Sequence, residues 1–146
     1  MNNKEKINHP PHYNAHPSGI ECIDIIEHMD FNIGNSIKYI WRSNHKENLI
    51  EDIKKSIWYI SREIERRESF NIFQKLVNNI YSSVYKNSSK INDKLLLNIA
   101  NGFTSAEICN VFILLYYSTI FKNTTWKLES AKNILENHLK FLERDF

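Results

Sequence analysis

The sequence is poor in the residues that interrupt helices and in those that cross-link a chain. Of its 146 residues only three are glycine, three are proline and two are cysteine. With so few glycines and no G-x-x-x-x-G-K-[ST] pattern, the chain cannot build a glycine-rich loop that cradles phosphates. The two cysteines, Cys22 and Cys109, lie in apolar helical patterns without a C-x-x-C pair. They predict reduced, buried thiols and a cytoplasmic protein.

A strong charge excess and a long apolar run are also missing. Nineteen basic and 17 acidic residues give a formal charge of +2, a balance that argues against binding to a nucleic-acid polymer. The most apolar run, VFILLYY at residues 111–117, is far shorter than the roughly 20 residues that a bilayer-spanning helix needs. It predicts a core helix and no role in a membrane.

Apolar residues instead recur at helical spacing along nearly the whole chain, and no segment alternates with period two for long enough to predict a strand. A first helix is predicted from Ile20 to Met29, and the NIGN stretch at 32–35 is expected to break it before a second helix near Ser36. A third helix of about 20 residues is predicted from a regular apolar pattern. That pattern consists of Leu49, Ile53, Ile57, Ile60 and Ile64.

The second half of the chain continues the helical pattern. A further apolar stripe is typical of helix packing within a chain or across a dimer, and it consists of Phe70, Phe73, Val77, Ile80 and Val84. TSAE at 104–107 resembles a capping box that would start another helix. We therefore expect an all-α bundle of about six or seven helices with an extended N-terminal arm. Its two regions are predicted at 1–68 and 69–146, and the second is a candidate for homo-oligomerisation.

The arm is predicted from HPPHY at residues 9–13. Two adjacent prolines favour an extended, stiff backbone, in which polyproline geometry places His9 and His12 on one edge. These histidines and Tyr13 are candidates for contact with a ligand, or for a strap packed over the core. A zinc site made by His9, His12 and His16 is poorly supported, because no cysteine or fixed fourth ligand is nearby.

A candidate anion site follows on the second predicted helix. Asn35, Lys38 and Arg42 share one helical face, and Asn35 is expected near the helix start, where free amides favour anions. Lys46 follows in the next loop. Under this hypothesis Arg42→Ala abolishes nucleotide binding and leaves the fold intact. Under the alternative, a solvated basic face, Arg42 pairs with Asp52 or Glu47, and its loss lowers the melting temperature.

Carboxylates and aromatic residues complete the candidate site. Glu21 and Asp24 on the first helix, with Glu51 and Asp52 on the third, could hold Mg²⁺ through their oxygens. Acidic residues also favour helix N-termini for electrostatic reasons alone. Either Trp58 or its neighbour Tyr59 is expected to be free to stack on a base, or to cover a helix pair. The full predicted ligand-binding set is His9, His12, Tyr13, Asn35, Lys38, Tyr39, Arg42, Lys46 and Trp58.

Four segments in order, NHPPHYN, GIECIDIIE, GNSIKYIWR and EDIKKSIWYI, resemble the small bacteriophage family DUF3310, also called SaV-like. The resemblance covers residues 7 to about 65, and one podovirus member is described as a nucleotide kinase. It implies a phage-encoded protein in the host bacterial cytoplasm that handles nucleotides.

Three functions stay open at this point. The first is binding of a nucleotide or nucleotide-derived defence signal, which the phage protein would sequester. The second is a deoxynucleoside monophosphate kinase, in which Lys38, Arg42 and Lys46 would stabilise charge and His12 or Asp52 would orient the acceptor. The third is a helical protein that binds and inhibits a host protein.

Overall fold

A computed structural model describes residues 16–43, 48–77, 93–103, 105–120 and 125–144, with the backbone alone at 70–77 and 93. The arm residues His9, His12 and Tyr13, the loop residue Lys46, and the side chains of the stripe from Phe70 to Val84 lie outside what is described. Within these ranges the chain is all-α, as predicted, and no strand occurs. The helices are α1 (Cys22–Ile26), α2 (Phe31–Arg42), α3 (Leu49–Val77), α4 (Asp93–Ala100), α5 (Ala106–Ile120) and α6 (Thr125–Leu142).

The helices pack around one core. α2 lies against α3, α3 against α6, and α6 against α5, while α2 also contacts α5 and α1 packs on α2. Trp41 of α2 and Phe112 of α5 are among the largest fully buried side chains. α3 runs without interruption past residue 68, where the sequence predicted the boundary between two regions. None of the described helices is both long and apolar enough to cross a membrane.

The start of α2 differs from the prediction. The helix begins at Phe31, so Gly34 lies inside it rather than in a break. A Cβ atom at Gly34 would lie 3.3 Å from the carbonyl oxygen of Ile26, which is closer than most Cβ contacts. Gly34 therefore serves the close approach of α1 to α2. The stripe predicted for the first helix is also shorter than expected, since α1 spans five residues and leaves Ile23 exposed.

The prediction for α3 is confirmed in its buried face. Ile53 and Ile60 are buried, and Leu49, Ile57 and Ile64 are partly buried and pack on the core. The helix is 29 residues long and so extends beyond the predicted end. In α5 the cap is Ser105, whose Oγ accepts a hydrogen bond of 3.3 Å from the amide of Ile108. The cap lies one residue after the threonine that the sequence suggested.

Candidate functional site

A row of polar contacts, here called the polar seam, joins α2 to α3. Its three pairs follow the two helices in opposite directions, as expected for antiparallel neighbours. They are Arg42 with Asp52, Ser36 with Ser56, and Asn32 with Glu63. The two serine hydroxyls are buried and share a hydrogen bond of 2.7 Å. The seam fixes the register of α2 on α3, because a slip would leave these buried groups without partners.

The Arg42–Asp52 pair is the strongest contact of the seam. Arg42 donates from Nε to Oδ2 at 3.2 Å and from Nη2 to Oδ1 at 2.5 Å, a bidentate geometry. The Asp52 side chain is only 4% exposed, whereas that of Arg42 is 25% exposed. Asp52 is thus a core carboxylate whose charge depends on Arg42 for compensation.

At the far end of the seam, Glu63 is fully buried in a cluster of arginines. Arg67 Nε donates to Glu63 at 2.8 Å, and Arg66 Nη2 donates at 2.7 Å. Burial alone would raise the pKa of Glu63, but hydrogen bonds from Arg66 and Arg67 outweigh burial and hold that pKa below its usual value. Arg67 also donates to the carbonyl of Ser118 at 2.9 Å, which ties α3 to α5. We assign this cluster a structural role.

Outside the seam, the same two helices carry four aromatic side chains in contact, here called the aromatic ledge. Its members are Phe31, Tyr39, Trp58 and Tyr59, with Tyr59 at the centre. Tyr39 and Tyr59 stack with centroids 5.8 Å apart, while Phe31 and Trp58 lie edge-on to Tyr59 at 6.1 and 4.8 Å. Phe31 is 74% exposed and Trp58 57% exposed. Large exposed rings of this kind offer faces on which a ligand can stack.

Two cations border the ledge at Tyr39. The guanidinium carbon of Arg42 lies 5.2 Å from the centre of the Tyr39 ring, and the ammonium of Lys55 lies 5.5 Å from it. Lys55 is paired with Glu51 at 2.5 Å. That hydrogen bond lowers the pKa of Glu51 and raises the pKa of Lys55, so both groups are charged near neutral pH.

The helix start on which the predicted anion site depends differs from the prediction. Because α2 begins at Phe31, Asn35 lies one turn inside the helix and donates from Nδ2 to the carbonyl of Phe31 at 2.8 Å. The residue before the helix is Asp30, whose carboxylate is unfavourable to an anion there. Lys38 and Tyr39 lie in the middle of α2 and Arg42 at its end. Free amides therefore do not face these residues.

The four carboxylates considered for Mg²⁺ are not gathered into one site. Among the described residues, no three histidine, cysteine, aspartate or glutamate side chains come together so that they could hold a metal ion. Asp52 is engaged by Arg42 and Glu51 by Lys55, while Glu21 and Asp24 lie at the start of α1. The predicted magnesium site therefore has support from the sequence alone.

His16, which precedes α1, is a further buried polar residue. Its ring lies 4.3 Å from that of Trp41 and 4.8 Å from that of Phe103, and Nδ1 shares a hydrogen bond of 2.8 Å with Ser18. In the part of the chain that the structure describes, Nε2 has no hydrogen-bond partner. The ring lies over Gly102, where a Cβ atom would come within 2.3 Å of it. His16 thus packs between aromatic rings. Among the described residues, no cluster of metal ligands surrounds it.

The structure brings together part of the predicted site and adds residues to it. Tyr39, Arg42 and Trp58 meet at the ledge, as does Tyr59, one of the two rings considered for stacking. Phe31 and Lys55 were missed. Lys55 could have been found from the sequence, because Glu51, Lys55 and Tyr59 recur every four residues on one face of α3. Phe31 gave no such signal, because it lies between the first two helices that the sequence predicts.

The chain is thus an all-helical protein with an aromatic surface, bordered by cations, on its second and third helices. Residues 7–61 match the model of a family described as a protein of unknown function, DUF3310. The matched segment contains the whole aromatic ledge. No curated protein and no solved structure shows a significant match to the chain.

Proposed function

We propose that the protein is a phage-encoded nucleotide-binding protein and that the aromatic ledge is its binding surface. The observation that carries the proposal is the placement of two exposed rings, Phe31 and Trp58, on the same surface as the exposed ammonium of Lys55. A nucleotide joins a flat base to an anionic phosphate. A surface that is aromatic at one end and cationic at the other matches both parts.

The base would stack on an exposed ring of the ledge. Trp58 is the better candidate, because its indole is the larger ring system and it is 57% exposed. Stacking on an aromatic side chain contributes about 1–3 kcal/mol per base and tolerates different bases. The ledge therefore supports the class of ligand without selecting one base.

The phosphate would bind at Lys55. Arg42, the residue that the sequence favoured for this contact, is paired with Asp52. If Arg42 turned away, the buried carboxylate of Asp52 would be left without a compensating charge. Lys55 has an exposed partner, and a flexible ammonium can turn towards a ligand at small cost. Lys38, which precedes Tyr39 on α2, remains a predicted second contact.

We favour binding over phosphoryl transfer. A kinase needs a group that orients or deprotonates the attacking hydroxyl. Asp52, one residue considered for this role, is buried and forms a bidentate pair with Arg42, so it is poorly placed to reach a substrate. Sequestration of a nucleotide or nucleotide-derived defence signal requires only the surface described above.

Ligand release and titration together test the proposal. Mass spectrometry of what the purified protein releases on denaturation would identify a retained nucleotide. Calorimetric titration with a panel of nucleoside mono- and diphosphates and cyclic nucleotides would then measure affinity. Trp58→Ala is expected to weaken binding roughly 5- to 150-fold, the affinity equivalent of one stacking contact.

The chain provides a matched control in Trp126 on α6. Trp126 is also 57% exposed, and the ammonium of Lys127 lies 5.3 Å from the centre of its ring. It therefore combines an exposed ring with a nearby cation, as the ledge does, at another place on the protein. Trp126→Ala is expected to leave affinity unchanged. Equal effects of the two substitutions, or no nucleotide binding by the wild type, would contradict the proposal. Conversion of a deoxynucleoside monophosphate and ATP to diphosphates would favour the kinase instead.

A further inference from the structure

The two acidic residues that pair with the cations beside Tyr39 differ in burial. Asp52 is a core residue whose side chain is 4% exposed, and it holds Arg42 by two hydrogen bonds. Glu51 is one residue away, but its side chain is 61% exposed, and it holds Lys55 by a single pair. Only the second of these pairs can open without leaving a charge buried.

We propose, on the basis of the proposed function, that Glu51 is an affinity-determining residue that restrains the ledge by competing with the ligand's phosphate for Lys55. The ammonium of Lys55 contacts Glu51 at 2.5 Å while it lies 5.5 Å from the centre of the Tyr39 ring. A phosphate group that reaches Lys55 must therefore take the place of the Glu51 carboxylate or lie beside it.

The balance of charges beside Tyr39 also favours a restraining role for Glu51. Lys55 and Arg42 contribute two positive charges beside Tyr39, and their partners Glu51 and Asp52 contribute two negative ones. The charges of these four groups cancel, so the position of the Lys55 ammonium is what favours an anion among them. Removal of the Glu51 charge leaves a net positive charge next to the ring and frees Lys55 to move.

Glu51→Gln is the direct test, because glutamine keeps the size and shape of the side chain and removes its charge. Each of the common nucleoside 5′-diphosphates and its parent nucleoside would be titrated into the wild type and the variant at low ionic strength. Since exposed ion pairs are weak, we expect diphosphates to bind roughly two- to fivefold more tightly to the variant. Nucleosides, which lack the phosphate, are expected to bind with unchanged affinity.

Glu65→Gln is the matched control. Glu65 lies on the same helix and pairs with Arg62 at 3.0 Å, and its side chain is also 61% exposed. It has no contact with the ledge among those described, so its loss is expected to change the affinity for diphosphates only slightly. The gain caused by Glu51→Gln should shrink as salt is raised towards 0.5 M, because screening weakens the interaction of exposed charges.

Three results would overturn the inference. If the wild type binds a diphosphate through Trp58 and Glu51→Gln does not improve that affinity, the restraint is absent while the proposed function stands. If Glu51→Gln and Glu65→Gln improve affinity equally, the effect is one of total charge and not of Lys55. If no nucleotide binds to the wild type or the variant, the inference and the proposed function both fail.

Discussion

Replacing Arg42 by alanine removes the group that compensates a buried carboxylate, so we expect the variant to fold less stably. Breaking a buried ion pair by removing one partner costs about 3–5 kcal/mol. The Arg42 side chain is 25% exposed, so water can reach the cavity and the expected cost is near the lower end, about 3 kcal/mol. For a chain of this size, 1 kcal/mol corresponds to about 2–4 °C in melting temperature, which gives a decrease of about 6–12 °C.

Thermal and urea denaturation, followed by circular dichroism and by tryptophan fluorescence, would measure this loss. The matched control is Arg62→Ala, because Arg62 forms an exposed pair with Glu65 on α3. Such pairs contribute about 0–1 kcal/mol, so the control should melt within a few degrees of the wild type. Adding Asp52→Asn to Arg42→Ala should restore part of the stability, because the carboxamide carries no charge.

An Arg42→Ala variant with unchanged stability and no affinity for nucleotides would contradict this prediction. That result would return Arg42 to the role that the sequence first suggested, a ligand contact on an intact fold. The structure favours the alternative that the sequence left open, in which Arg42 is the partner of Asp52.

The remaining predictions concern buried groups. Gly102→Ala should cost about 1–3 kcal/mol in urea denaturation, because its methyl group would force the His16 ring out of place. Burial lowers the pKa of His16, so as the pH falls the unfolded chain binds a proton at this residue at a higher pH than the folded chain does. Stability should therefore be full above about pH 6.5 and fall below it. His16→Gln should reduce this dependence in melts from about pH 7.5 to 5.5. Burial raises the pKa of Cys22 to about 12, so iodoacetamide should label Cys22 only after unfolding, as peptide mass spectrometry would show. Ser36→Ala and Ser56→Ala should each cost about 1–3 kcal/mol and the double variant less than their sum, since each single change leaves one buried hydroxyl unpaired.

Much of the helical architecture could be predicted because it depends on local spacing. The pattern of apolar residues from Leu49 to Ile64 identified α3 and its buried face, and the sparse glycines and prolines left few breaks. The same reasoning misplaced the start of α2, because it treated Gly34 as a break. Whether a glycine ends a helix or permits a close contact depends on what lies next to it, and here that neighbour is the carbonyl of Ile26.

The candidate site could be predicted only in part. Aromatic and basic residues near Tyr39 and Trp58 were visible in the sequence, as was the possibility that Arg42 pairs with Asp52. The meeting of Phe31, Tyr39 and Tyr59 was not visible, because it requires the crossing of α2 over α3. The sequence also could not show that Arg42 is held in a structural pair while Lys55 can turn towards a ligand. This difference depends on the burial of their acidic partners.

The sequence was enough to show that the chain is helical, which faces of its longest helices are apolar, and that its N-terminal part resembles DUF3310. These properties follow from residue type and spacing along one helix. Asp52 and Glu63 lie in the core while Glu51 lies at the surface, and this difference appears only once the helices pack together. All three are acidic residues of α3, and residue type alone does not show which of them are buried. Their environments differ because α2 and the helices behind it cover one side of α3, and burial is a property of that packing.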